Sequence, residues 1–148
     1  HVFRGTKNAR LLDYVACWYR KAADWMASDP RSECCFVSTN SITQGEQPAV
    51  LWTDLWPRGV AINFAHRTFR WTSEARGKAA VHCVIIGFAL RDRPRKTIAE
   101  YASVNGEPQA IQAARINPYL ADGAMVALRN RTRPISAVPQ IGIGNKPI

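Results

Sequence analysis

Three clusters of basic residues and one polar strand tip are the stretches of this chain whose residue types could do chemistry. The clusters are Arg67, Arg70, Arg76 and Lys78; Arg91, Arg93, Arg95 and Lys96; and Arg129, Arg131 and Arg133. Clustered cations are what a polyphosphate backbone needs, because each neutralised phosphate releases condensed counterions. Arginine in place of lysine suits forked contacts to phosphates and base edges. The plain alternative is a solvated basic surface. The formal net charge of +9 is unevenly spread. Residues 1–60 hold seven Lys/Arg against six Asp/Glu, and residues 61–148 hold thirteen against five.

The polar tip is in Phe36 to Gln47, "FVSTNSITQGEQ". A short apolar run closes on Ser38, Thr39, Asn40 and Ser41, and Gln44 and Gln47 follow. Hydroxyl and amide groups at the end of a buried strand stand where open α/β sheets place ligands. The same groups could instead cap the next helix and satisfy its free N–H groups, and both roles can hold at once. Metal chemistry is disfavoured, since Cys17, Cys34, Cys35, Cys83, His66 and His82 lack the spacing of a tetrahedral site. His82 lies between apolar neighbours, which predicts a core histidine rather than a base.

The elements that must position these groups are legible from apolar patterning. Residues 9–27 predict an amphipathic helix, with Leu11, Leu12, Val15, Trp18, Tyr19, Ala22, Trp25 and Met26 on one broad inward face. Pro30 ends it. Residues 34–39 predict a buried strand. Thr43 and Glu46 have capping-box spacing before a helix through "PAVLWTDLW", which Pro57 and Gly59 halt. Residues 60–65 and 80–90 predict two further strands, the second dense in β-branched residues. The fold class is therefore α/β. From Lys96 onward periodicity fades. Asn105-Gly106 signals a turn, "EPQAIQAARI" reads as a short helix, and recurrent prolines suggest a connector.

No apolar run is long enough to span a membrane, and the N-terminus lacks a signal-peptide layout. Cys34 and Cys83 sit in strand-like apolar runs, and adjacent Cys34 and Cys35 point to opposite faces and are poor partners for each other, so buried reduced thiols and a cytoplasmic location are expected. Both ends look cut, which suggests a piece of a longer protein.

Three stretches, "LDYVACWYRKAADWM", "FVSTNSITQGEQ" and "INFAHRTFRWTSEARGKAAVHCVIIGF", resemble in their order and spacing the amino-methyltransferases of bacterial restriction–modification systems. The likeness is to the large single-chain type II enzymes that fuse endonuclease, methyltransferase and target-recognition parts. "INPYL" and "VPQIGIGNKP" resemble the segment leading into their target-recognition domain.

The resemblance implies a class I, Rossmann-like sheet of strand order 3-2-1-4-5-7-6, with strand 7 antiparallel. It implies transfer of a methyl group from S-adenosylmethionine to adenine N6 in double-stranded DNA. On this map residues 34–39, 60–65 and 80–90 are strands 5, 6 and 7. Residues 1–95 are the C-terminal part of a methyltransferase domain, and residues 96–148 a connector and the start of a target-recognition region. The chain has no glycine-rich cofactor loop and no N-P-P-[FY] tetrapeptide. Asn117-Pro118-Tyr119 has a single proline and falls after strand 7, outside the catalytic position. The resemblance thus implies a piece that holds no catalytic residue, does not bind the cofactor, is inactive alone, and works with the remainder of a parent chain.

An adenine amino group inside a duplex is reached by flipping the base, and a flipped base needs a stacking surface. The family places an aromatic residue in the loop before strand 7, so Phe69 and Trp71 are the candidates, with Phe69 preferred. The alternative has both packed beneath that loop. Arg67 and Arg70 flank them and, with Arg76, Lys78, Arg91, Arg93, Arg129, Arg131 and Arg133, are candidates for backbone phosphates. Ser38, Thr39, Asn40, Ser41, Gln44 and Gln47 would line the base cleft. Without strand 4, residues 34–39 form an open apolar edge, predicting self-association or local irregularity there. The competing reading is a basic nucleic-acid-binding module without chemistry.

Overall fold

The computed structural model describes residues 2–71, 81–131 and 136–137. Arg76, Lys78 and Arg133, named above, lie outside the described residues. The described residues form a five-stranded mixed sheet with two helices on one of its faces.

The first helix, α1, is Ala16–Met26. It is shorter than the predicted 9–27. Asn8 takes a left-handed φ of 64°, Ala9–Leu11 make only a 3-10 turn, and Leu12 is extended, so the chain cannot enter a helix until after Asp13. The inward stripe also differs. Ala16, Tyr19, Ala22, Ala23 and Met26 are buried, while Trp18 and Trp25 are exposed at 49% and 57%. Small alanines let α1 sit close to the sheet and turn the two tryptophans outward, where Lys21 covers the Trp18 ring.

The second helix, α2, spans Gln47–Leu55, runs on into a 3-10 turn, and stops at Gly59 with φ 80°. A left-handed stop suits a residue without Cβ. Pro48 sits in its first turn, as predicted, but Glu46 makes no side-chain cap. Thr43 instead bonds Asn40.

The strands are β1 Glu33–Thr39, β2 Ala61–Trp71, β3 Val81–Ala89, β4 Lys96–Tyr101 and β5 Pro108–Ala113. Their spatial order is β1-β3-β2-β4-β5. β3 is antiparallel to both β1 and β2. This reproduces the 5-7-6 order expected from the resemblance, with the last strand inserted between the other two.

Two expectations need correction. β2 continues through "HRTFRW", which was expected to be loop, by bulging between Ile62 and Phe64 and again between His66 and Phe69. The bulges take up the residues that break apolar alternation. Residues 96–113 are a hairpin, neither irregular connector nor helix: β4 pairs parallel with β2 and antiparallel with β5. The Asn105-Gly106 turn forms, closed by a bond from the Gly106 N–H to the Ser103 carbonyl. Pro108 begins the outermost strand, where its missing N–H costs no ladder bond. β1 is the opposite edge, and its register is unbroken from Glu33 to Thr39, so the expected alternative of local irregularity does not occur.

The core lies between the helices and one face of the sheet. Trp52, Tyr19, Phe88, Met26, Leu51, Ile62 and Ile86 are fully buried, and Ile116 and Leu120 join the same cluster from beyond β5. Lys96 is buried too, because its ammonium bonds the Ile62 carbonyl, Asn63 and Asp92 and so ties β2 to β4. All four cysteines are free, but only Cys83 is buried and Cys35 is exposed, so the expectation of buried thiols holds for one of them. No described helix is long and apolar enough to cross a membrane.

Candidate nucleic-acid site at the strand tips

β1 and β2 run in the same direction on either side of β3, so their C-terminal ends share one end of the sheet. Thr39 and Phe69 both pair with Cys83. Two strand spacings therefore separate the polar tip from the aromatic tip, roughly 10 Å. The two stretches singled out from sequence meet here although thirty residues of chain intervene.

The polar tip is largely occupied with its own bonds. Ser38 points to the helix side, 4% exposed, and its hydroxyl bonds the Tyr19 phenol at 2.8 Å. Burial pushes the Tyr19 phenol well above its ordinary pKa. Thr39 bonds Ser41, and Ser41 donates to Asp13 at 2.6 Å. Gln47 accepts from the Asp13 N–H at 3.0 Å. The bonds from Ser41 and Gln47 hold the Asp13 carboxyl below its ordinary pKa. The Asn40 side-chain oxygen accepts from Thr43 and from Thr68 on β2, pinning the tip to the neighbouring strand end. Asn40, Thr43, Gln44, Arg67, Thr68 and Tyr119 line a polar cavity of about 290 Å³ at this end of the sheet.

Phe69 and Trp71 lie on the face opposite Ser38, the face that Thr39 shares with Phe69 through their common partner Cys83. Phe69 is half-buried and Trp71 is 47% exposed, their rings 6.4 Å apart. Phe69 also stacks on Tyr101 of β4 at 5.5 Å with planes 27° apart. The Tyr101 hydroxyl lies 2.6 Å from Nδ1 of His66. Burial lowers the His66 pKa and raises that of Tyr101, so both are neutral near pH 7. The bulge after His66 turns Phe69 back onto the face that His66 occupies. Gly87 serves the same face lower down: a Cβ there would lie 2.8 Å from the Phe64 ring, which rests across β3.

The arginines do not form one surface. Arg70 is exposed beside Phe69, and its N–H bonds the Val104 carbonyl in the β4–β5 turn. Arg67 is paired with Glu100. Arg91 and Arg93 stand past the other end of β3 and both pair with Glu33. Eight strand residues put them roughly 27 Å from the tips. Arg129 and Arg131 are exposed, and Arg129 borders a cavity of about 420 Å³ with Thr6, Lys7 and Glu46. His82 is exposed, not a core histidine, because its side of β3 lies beyond the helices. Asn117 is a turn builder whose side-chain oxygen accepts the N–H groups of Tyr119 and Ala121.

Sequence reasoning missed His66, Thr68, Glu100 and Tyr101. Tyr101 and Glu100 sit more than thirty residues from the groups they touch. The only signal for them was the Asn105-Gly106 turn, which marks a hairpin but not the strand it joins.

The half-sheet, with an antiparallel strand between two parallel ones, is that of a DNA-methyltransferase domain. Residues 1–100 match the family described as "MmeI, DNA-methyltransferase domain". DNA methyltransferase A of Bacillus subtilis (strain 168) is 39% identical over 146 residues, covering 99% of this chain and 16% of that protein. The solved structure of the type IIL restriction-modification enzyme MmeI in complex with DNA is 58% identical, with a TM-score of 0.90 over 93% of this chain and 18% of that one. The chain belongs to the MmeI DNA-methyltransferase domain family. It spans less than a fifth of the length of either relative.

Proposed function

We propose that this chain supplies the base-binding wall of a DNA methyltransferase that transfers a methyl group to adenine N6 within a restriction–modification system. The row Thr39–Cys83–Phe69, with Trp71 one step beyond, is the observation that carries this reading. It sets half-exposed aromatic rings and polar groups at one end of the sheet, where a flipped base could stack and be bonded. Arg70 beside Phe69 is the best-placed contact for a DNA phosphate, and Arg67 the next. Arg91 and Arg93, paired with Glu33 at the far end, have the weakest support for that role. Ser38, facing the core, positions β1 and does not contact the base.

Family membership implies S-adenosylmethionine as donor, whose chemistry is an electrophilic methyl group. The residues of this chain do not fit it: the sequence holds no glycine-rich loop, and the cavity at the strand tips sets the Arg67 cation among amides and hydroxyls, with Val84 and Leu120 the apolar members of its lining. The donor and the catalytic tetrapeptide would come from further parts of a longer protein, and the chain would be inactive alone. The open outer edge of β1 would pair there, or with a second copy. Methyl transfer to an amine asks mainly for positioning, so no general base is assigned.

The test is methylation by the full-length enzyme carrying this chain. Phe69→Ala and Trp71→Ala should each lower the rate, at least one by about tenfold or more, given about 1–3 kcal/mol per stacked base. Two variants that methylate at the parental rate would overturn the reading. A basic module without chemistry is the second reading; it predicts salt-dependent DNA binding from an enzyme whose methylation is untouched by either substitution.

A further inference from the structure

The aromatic tip is built by two segments, and the second contributes Tyr101 and Val104, just past the point where the family match ends at residue 100. Tyr101 puts its ring against Phe69, and His66 holds the Tyr101 hydroxyl. His66 also meets Phe69 edge-on at 6.2 Å. One turn of the hairpin further on, the Val104 carbonyl accepts the Arg70 N–H at 2.8 Å, fixing the backbone between Phe69 and Trp71. Phe69 follows a bulge, where the ladder to β3 is interrupted, so its backbone alone constrains the ring less than a regular strand would. What holds the ring is the hairpin.

We propose that Tyr101, anchored by His66, is a positioning residue that backs one side of the Phe69 ring so that the other is presented at a fixed tilt to a flipped base. This rests on the base-stacking reading above. An aromatic ring backed by another loses less freedom when a base arrives, so the stacking energy goes into holding the base rather than ordering the rim. It follows that the β4–β5 hairpin is a working part of the methyltransferase domain.

The experiment uses the full-length enzyme with 4-fluorophenylalanine at position 69, a duplex with adenine at the target for methylation, and a second duplex with 2-aminopurine there, which has no N6 amine and reports flipping alone. Tyr101→Leu should move and broaden the fluorine resonance, while Tyr101→Phe, which keeps the ring, should leave it near its parental position. Tyr101→Leu should cut single-turnover methylation and the 2-aminopurine signal by about threefold to tenfold, the range of an aromatic pair, and change DNA affinity less than about twofold. In the Phe69→Ala background it should have no further effect.

A fluorine resonance indifferent to Tyr101→Leu, or rate losses that multiply in the double variant, would overturn the brace. Loss of activity with Phe69→Ala but not with Tyr101→Leu would overturn the brace and leave the base-stacking reading standing. Full activity with Phe69→Ala, alongside a fluorine resonance that responds to Tyr101, would instead sink the stacking reading and with it the brace's part in the reaction.

Discussion

On one face of the sheet, Phe36, Val84, Ile86 and Phe88 lie beneath Tyr19, Met26, Leu51 and Trp52. On the other, Phe64, His66, Phe69 and Tyr101 lie against one another along the strands. The first set comes from β1 and β3 and the second from β2 and β4, whose intervening residues Ile62, Ala65 and Ile98 join the covered face. The covered face is held by removal of apolar surface from water, with one polar pair, Tyr19–Ser38, satisfied inside it. Among the described residues no helix covers the second face, and its rings rest over small residues such as Gly87 and Cys83. Aromatic rings kept half-exposed at a strand tip contribute less to folding than buried ones. The difference separates residues that make the sheet from residues that the sheet displays.

The largest effect should come from the covered face. Trp52→Ala empties a fully buried site and should cost about 3–5 kcal/mol, read by denaturant unfolding. A loss under about 1 kcal/mol would break the distinction between the faces. Gly87→Ala tests the tightest point of the open face. Its Cβ would meet Phe64, and relief requires the ring to lift, at about 1–3 kcal/mol. A neutral result would mean that the Phe64 ring moves without loss.

Tyr19→Phe leaves the Ser38 hydroxyl buried without its phenol, and should cost about 1–2 kcal/mol with no change in methylation. Trp71→Ala should do the opposite, changing stability by about 0.5 kcal/mol or less while lowering methylation. Those two together sharpen the comparison most, since each variant moves one quantity and spares the other.

The smallest effect concerns pH. Burial depresses the His66 pKa below its ordinary 6.5, so the unfolded chain takes up the proton more readily than the folded one. The neutral ring's stabilisation is complete above about pH 6.5 and is lost as pH falls through the lower folded-state pKa. Melting curves from pH 7.5 downward should show a steeper decline for the parent than for His66→Leu. Parallel curves would show that His66 is solvated alike in both states.

Much of this architecture was readable from residue patterns because the physics was local. "PAVLWTDLW" carries its own start and stop in Pro48, Pro57 and Gly59. "VHCVIIGFA" could hardly be anything but a strand. The failures are equally specific. The apolar stripe of residues 9–27 admits two rotations of a helix, and the alanines, not the tryptophans, set the one adopted. "EPQAIQAARI" reads as a helix in isolation, yet pairing with β4 makes Pro108–Ala113 a strand, since tertiary contacts override weak propensity.

The sequence by itself determined the fold class, the order of β1, β3 and β2, and the identity of the tip residues, since each follows from patterns within a dozen residues or from the family likeness of three stretches. Only the tertiary structure decided which of those residues work together. Ser38 turned inward, Arg91 and Arg93 went to the far end, and Tyr101 came to rest behind Phe69 across thirty-two residues of chain. Strand alternation sets which face a side chain takes, but bulges and pairing register set what it meets there, and those are settled by the whole sheet at once.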